Sequence, residues 1–280
     1  MKRRKQARGV VLFVVFLAVA VVFLVPFAFL LLASFKPASM LMNVGEVFSL
    51  NWDSFTMANY QSLLDYRDGL FFTWYRNSLI LLVLQTVPGL LLSSMAGYAL
   101  AIYDFKGKKL LMSLTMVLLT IPFEILMIPL FKEAVLLKLN TTFAGVVFTG
   151  IVTPFMVFFF RQSAVGLPKG LADAGRIDGC RELGIFFRIM MPLMLPAYGA
   201  MGIMQGLGSW NNLLWPLIIL SSNDHMTLTV GISSLVTANS AQNYDLVLAS
   251  SACAILPILV AFLLFQNTFI SGLTAGGIKE

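Results

Sequence analysis

Charge is scarce in these 280 residues, 11% of the total, yet one stretch concentrates it. Residues 167–197, LPKGLADAGRIDGCRELGIFFRIMMPLMLPA, hold Lys169, Asp173, Arg176, Asp178, Arg181, Glu182 and Arg188. Alternating acids and bases of this kind form ion pairs, either within the chain, with a protein cleft or with charged lipid headgroups. Two smaller groups have other chemistry. Glu124 lies in an apolar run between Pro122 and Pro129, where an ionisable side chain is expensive and usually functional. Gln205, Trp210, Asn211 and Asn212 offer amides for hydrogen bonds and an aromatic face for stacking.

Catalytic sets are harder to find. The sequence has two cysteines, Cys180 and Cys253, and one histidine, His225. It has no G-x-x-x-x-G-K-[ST] phosphate loop, no G-x-G-x-x-G, and no plausible nucleophile-base constellation. The expectation is a protein that is not an enzyme and holds no cofactor or metal of its own.

The elements that carry these residues are membrane helices. Apolar residues make up 59% and aromatics 12%, beyond what a soluble domain with one core carries. Runs of about 18 apolar residues span a hydrocarbon core about 30 Å thick. Six such runs are legible, near residues 10–33, 77–102, 110–131, 143–160, 190–210 and 246–272. The first follows the basic MKRRKQARG but is too long for a cleaved signal peptide and lacks an A-x-A site, so it reads as a retained helix. The fold class is an all-α integral membrane protein with six transmembrane helices.

Orientation follows from Lys and Arg, which are retained on the cytoplasmic side. With the N-terminus inside, 14 of the 19 basic residues fall on cytoplasmic segments: Lys2, Arg3, Arg4, Lys5, Arg8, Lys106, Lys108, Lys109, Arg161, Lys169, Arg176, Arg181, Arg188 and Lys279. Lys36, Arg67, Arg76, Lys132 and Lys138 fall outside, among Glu46, Asp53, Asp65, Asp68 and Glu133. Both termini are then cytoplasmic. The net charge of +6 reflects topology and contact with lipid rather than nucleic-acid binding.

This places the charged stretch on the cytoplasmic face. Leu167, Leu171, Ala174, Ile177, Cys180, Leu183 and Phe186 recur every three or four positions, which predicts a surface helix or two with one apolar stripe. Pro168 suits a first helical position, and Gly179 suits a turn or the close approach of a partner's backbone. Amphipathicity alone leaves two readings, a helix lying on headgroups and a helix seated in a protein. Glu124 likewise is either a cavity-lining acceptor for ligand hydroxyls or a partner for backbone freed by Pro129 or a cap on a neighbouring helix. The cluster at 205–212 is either a ligand contact or an aromatic belt. Gly89, Ser93 and Gly97, and Gly199, Gly202 and Gly206, each fall on one helix face and suit close helix packing.

LADAGRIDGCRELGIFFRIMMPLMLPA resembles the EAA loop of ABC-importer permeases. Asp173, Ala174 and Gly175 stand at the Glu-Ala-Ala positions, Gly179 at the spaced glycine, and Ile189 and Pro192 at the later pair. Asp173 for Glu and Gly175 for Ala are the departures. YALAIYDFKGKK, GSWNNLLWPLIIL and FISGLTAGGIKE extend the resemblance to the MalG-like permeases of carbohydrate-uptake ABC importers. YDFKGK, FFFRQSAVGLP, DGCRELGIFFRIMMPLM and NYD are most similar to the L-arabinose-oligosaccharide permeases of Gram-positive bacteria.

The resemblance implies a type I importer fold, a single transmembrane permease domain over residues 1–280, with a cytoplasmic coupling segment at 167–189. Asp173, Ala174, Gly175, Arg176, Asp178 and Gly179 would meet the ATPase. Glu124, Gln205, Trp210, Asn211 and Asn212 would line the substrate path. It also implies partners: a second permease forming a heterodimer, two ATPase subunits that bind ATP and Mg, and an extracellular sugar-binding protein. The location implied is the cytoplasmic membrane of a bacterium. SSNDHMTLTVGISSLVTANSAQNYD corresponds to a loop that reaches the docked binding protein, and residues 34–75 form a second outer segment.

Two rivals remain. An ATP-independent secondary transporter should show inverted repeats and several intramembrane charges, whereas this chain has one such charge and no convincing repeat. An ABC permease for maltodextrin or glycerol phosphate is the other, and a phosphate cargo would favour cations at membrane depth.

Overall fold

The computed structural model describes residues 2–41, 45, 49, 51, 54–168, 170–238 and 244–274, with backbone alone at 2–7, 38, 41 and 265–274. Lys169, Lys279, Glu46, Asp53 and residues 239–243 of the outer loop therefore lie outside the described residues. Two units emerge, Met1–Phe72 with Gly231–Leu256, and Thr73–Val230 with Pro257–Glu280.

The described regular elements are helical. They run α1 Lys2–Ser34, α2 Ala38–Leu41, α3 Ala58–Asp65, α4 Leu70–Ile102, α5 Lys108–Leu118, α6 Phe123–Leu136, α7 Phe143–Gly150, α8 Pro154–Val165 and α9 Gly170–Ile177. The remainder are α10 Glu182–Leu193, α11 Leu195–Trp210, α12 Leu214–Ile219, α13 Leu228–Ala238 and α14 Tyr244–Thr274.

Three single helices are long and apolar enough to span a membrane: Arg8–Ser34, Leu70–Ile102 and Tyr244–Leu264. The third, fourth and fifth apolar runs differ from the single helices expected, because each is broken. α5 and α6 meet at 108°, α7 and α8 at 44°, and α10 and α11 at 79°. Proline accounts for these breaks, since it removes an amide hydrogen and pushes the preceding residue out of the helical region. Pro122 is extended and starts α6. Thr153 is extended ahead of Pro154, and its hydroxyl accepts the Met156 amide at 3.3 Å, an N-cap. Within α10 the turn Phe186–Met190 is π-helical, and Met194 leaves helical geometry before Pro196.

In the first unit the loop after α1 is held by backbone acceptors. Asn59 Nδ2 donates to the carbonyls of Ser34 and Lys36, both at 2.8 Å, and Ser34 Oγ lies 2.7 Å from Tyr60 Oη. Lys36 is fully buried, with its ammonium donating to the Ser49 carbonyl at 2.5 Å and lying over the Phe55 ring.

In the second unit one apolar core joins Tyr98 and Ala101 of α4 to Met156, Phe160 and Ala164 of α8 and to Ile185, Phe186 and Met190 of α10. A second core gathers Leu81, Ala134, Val146, Trp215, Ile219 and Leu220. The glycines of α4 serve the close packing expected of them. A Cβ at Gly89 would lie 2.4 Å from the Ile151 carbonyl oxygen, and one at Gly97 would lie 2.7 Å from the Arg161 nitrogen. Those of α11 do not. A Cβ at Gly202 or Gly206 would meet side-chain atoms no nearer than 3.5 and 3.9 Å, and both residues border a cavity.

Candidate functional site

The charged segment folds as two short helices joined by a tight turn. α9 ends in a Schellman arrangement: the Gly179 amide donates to the Arg176 carbonyl at 3.0 Å, and the Cys180 amide to the Gly175 carbonyl at 2.9 Å. Gly179 carries φ +76°, a left-handed conformation that glycine adopts without strain. Nothing lies within 4 Å of the place its Cβ would occupy, so the turn is what demands glycine here.

The apolar stripe of this surface segment is turned outward over most of its length. Leu171, Ala174, Ile177, Cys180 and Leu183 are exposed, Ile177 to 86%. Ala172 and Gly175 are buried instead, while Leu167 and Phe186 at the two ends do pack on the core. The reason is size. α9 docks through its smallest residues, and a Cβ at Gly175 would already sit 2.8 Å from Ile189 Cδ1. The bulky apolar side chains are thereby left on the free face.

Arg176 is the hub of the polar face. Its Nη1 donates to Asp173 Oδ1 at 2.7 Å and its Nε to Glu182 Oε1 at 2.8 Å. Tyr103, just past the end of α4, donates its hydroxyl to Glu182 Oε2 at 2.6 Å, and its ring centre lies 5.9 Å from the guanidinium. Lys108 donates to the Tyr103 carbonyl at 2.8 Å and pairs with Asp104 at 3.1 Å. The guanidinium, then the Tyr103 hydroxyl, hold the Glu182 carboxyl below its ordinary pKa. Burial, then the bond to Glu182, pushes the Tyr103 phenol up. The bond from Glu182 raises the Arg176 guanidinium further. α9, α10 and the turn after α4 are thus tied into one rigid knob. Sequence reasoning missed Tyr103, although YALAIYDFKGKK places an aromatic residue at the helix end. The exposed Asp178 side chain has no hydrogen-bond partner among the described residues, while its amide donates to the Ala174 carbonyl at 2.9 Å.

The polar residues at membrane depth are differently placed. Pro154 has no amide hydrogen for the Gly150 carbonyl four residues earlier, and Gln205 Nε2 donates to that carbonyl at 2.8 Å. Gln85 Nε2 donates to the Val146 carbonyl at 3.0 Å, and Trp215 Nε1 to that of Gly145 at 3.2 Å. Trp210 is buried edge-on against Tyr75, 5.4 Å between centroids. Asn211 and Asn212 follow it at the helix end, the first exposed and the second partly so. Glu124 sits in the first turn of α6, exposed, where a carboxylate suits the helix dipole. Among the described residues no hydrogen bond joins it to Gln205, Asn211 or Asn212, and no three of His, Cys, Asp and Glu are grouped to hold a metal ion.

Beyond these, the segment 222–228 is fastened to the start of α4. Trp74 Nε1 donates to the Asn223 carbonyl at 3.0 Å, Asn77 Nδ2 to the carbonyls of Asp224 and Met226 at 2.8 and 2.9 Å, and the Leu228 amide to Ser78 Oγ at 2.8 Å.

Known proteins with the same organisation make the comparison direct. The chain is 48% identical over 264 residues to the arabinooligosaccharides transport system permease protein AraQ of Halalkalibacterium halodurans, covering 94% of each. It is 36% identical over 203 residues to the lactose transport system permease protein LacG of Rhizobium radiobacter, covering 72% of this chain and 74% of that one. Its fold is similar to a chain in the crystal structure of a bacterial ABC transporter involved in the import of the acidic polysaccharide alginate, with TM-score 0.81 and 20% identity over 95% of this chain and 98% of that one. Residues 89–270 match the family described as binding-protein-dependent transport system inner membrane component, and the chain belongs to that family of ABC-importer membrane permeases.

Proposed function

We propose that this permease carries arabinose-containing oligosaccharides and couples their passage to ATP hydrolysis through α9 and the turn that follows. The observation that carries the coupling is the outward apolar stripe of Leu171, Ala174, Ile177 and Leu183 on a helix braced by Arg176, Glu182 and Tyr103. A helix lying on headgroups has no need of such bracing. A knob that transmits force does, because a rigid element moves its neighbours where a loose one absorbs the movement. Asp173, Arg176 and Asp178 rim the stripe, and Gly175 and Gly179 set its seating and its turn.

In this reading the partner ATPase subunits bind ATP and Mg, a second permease completes the path, and an extracellular binding protein delivers sugar. The 14 basic residues on one set of segments support cytoplasmic termini and a cytoplasmic knob. The two relatives named for arabinooligosaccharides, each 48% identical over 94% of this chain, support the cargo.

The test is Ile177→Asp in the complex of this chain with its second permease and ATPase. Gly179 is a poor probe, since any side chain there strains the left-handed turn. Ile177 is almost fully exposed, so the isolated chain should unfold at an unchanged temperature while ATPase retention and sugar-stimulated ATP hydrolysis fall at least about tenfold, since burying an unpaired charge is costly. Wild-type retention and hydrolysis would overturn the coupling assignment. Uptake by the wild-type complex of arabino-oligosaccharide, maltodextrin and lactose in parallel tests the cargo, with the first expected to dominate.

A further inference from the structure

Leu82 and Thr86 of α4, the glycine row of α11 and the Pro257–Ala261 turn of α14 line a half-open cavity of about 320 Å³ within the second unit. Its floor is Gly199, Gly202 and Gly206, spaced so that one helix face is bare. Thr86 borders this space and is 9% exposed, but its Oγ1 is buried, without a hydrogen-bond partner among the described residues. Tyr198, at one end, has its hydroxyl engaged with Ser94.

A sugar does not suit this lining. Its hydroxyls would need several partners, and the lining is almost wholly apolar side chains and glycine. Water fares little better, since a buried water needs two to four polar neighbours. The contrast with α4 is informative, because a Cβ added at Gly89 or Gly97 in the same unit would meet backbone atoms at under 3 Å. Two glycine rows suited to close helix approach are present, and one is used.

We infer that the cavity is the open half of a two-state helix contact: in the alternate state of the transport cycle the Ile258–Ala261 face of α14 closes onto Gly199, Gly202 and Gly206. Glycine allows the backbones to meet, as it does at Gly97. The inference rests on the permease reading, since a static protein has no use for a second packing arrangement.

The experiment uses the assembled importer in proteoliposomes, with Cys180→Ser and Cys253→Ser removing the native thiols. Into this background go Gly202→Cys and Ala261→Cys together, and disulfide formation is timed without nucleotide, with ATP, and with ATP plus sugar-loaded binding protein. A disulfide requires Cα atoms within about 7 Å, so closure should speed cross-linking at least about tenfold in one nucleotide state, and the cross-link should arrest transport. A second variant, Gly202→Leu, fills the cavity. It should reduce uptake at least about tenfold with assembly intact, while Gly202→Ala, whose methyl meets Leu90 at an ordinary 3.5 Å, should act mildly. Equal cross-linking in all three conditions, or wild-type uptake by Gly202→Leu, overturns the inference and points to a static space filled by lipid chains. Uptake by the unmodified complex is read separately and reports on the proposed function alone.

Discussion

Gln205 shows how a residue suited to one task performs another. Its amide could pair with a sugar hydroxyl, but it instead satisfies the one carbonyl that Pro154 leaves without a donor. Gln205→Leu should therefore lower the stability of the folded chain by about 1–3 kcal/mol, the cost of an unsatisfied buried acceptor. Thermal unfolding in detergent reads this directly, and the KM for sugar should stay unchanged. A raised KM with unchanged stability would return Gln205 to the substrate path. Glu124 presents the opposite case, since it is exposed and has no partner among the described residues. Glu124→Gln should leave stability within about 0.5 kcal/mol of wild type. A fall in uptake with the complex still assembled would then assign the carboxylate to the path.

At the scale of elements, the brace under α9 sets a pH limit. Glu182 has a lowered pKa, so the stabilisation it supplies is complete above the ordinary carboxylate pKa of 4.5 and is lost as pH falls through the lower, folded value. Arg176 stays charged throughout. The contribution is small, because the Glu182 side chain is half exposed and solvent screens the pair. Unfolding temperatures at pH 7 and pH 3.5 should differ more for wild type than for Glu182→Gln, and identical shifts would remove Glu182 from the brace. Gly179→Ala should cost about 1–2 kcal/mol through its left-handed backbone, seen as lower unfolding temperature, with Gly179→Asn costing less.

The stripe on α9 was legible as a period but its direction was not. Periodicity says that apolar residues share a face. It cannot say whether small residues on another face will take the packing, as Ala172 and Gly175 do. The helix breaks were obscure for a related reason. Pro26, Pro88 and Pro257 sit inside continuous helices, while Pro122 and Pro154 begin new ones. What separates the cases is the supply of partners: the Thr153 cap is adjacent to Pro154, but the Gln205 amide comes from far along the chain. The apolar runs themselves needed no such knowledge, because their length and composition meet the bilayer condition unaided.

For the whole molecule, most of the surface of α1 is apolar and exposed, with every residue from Arg8 to Ala28 exposed. Its solvent is hydrocarbon or another subunit. A charge at its middle, as in Phe16→Asp, should oppose insertion by about 2.5–3.5 kcal/mol and leave the packing of the second unit untouched, which glycosylation-site mapping of insertion efficiency would read. The segment 222–228 has a consequence of another kind. Fastened at four points by Trp74, Asn77 and Ser78, it already holds one conformation. A surface of that sort surrenders little conformational entropy when something docks on it. Encounter need not wait for the segment to order, so variants along it should alter how long a docked partner stays rather than how quickly it arrives.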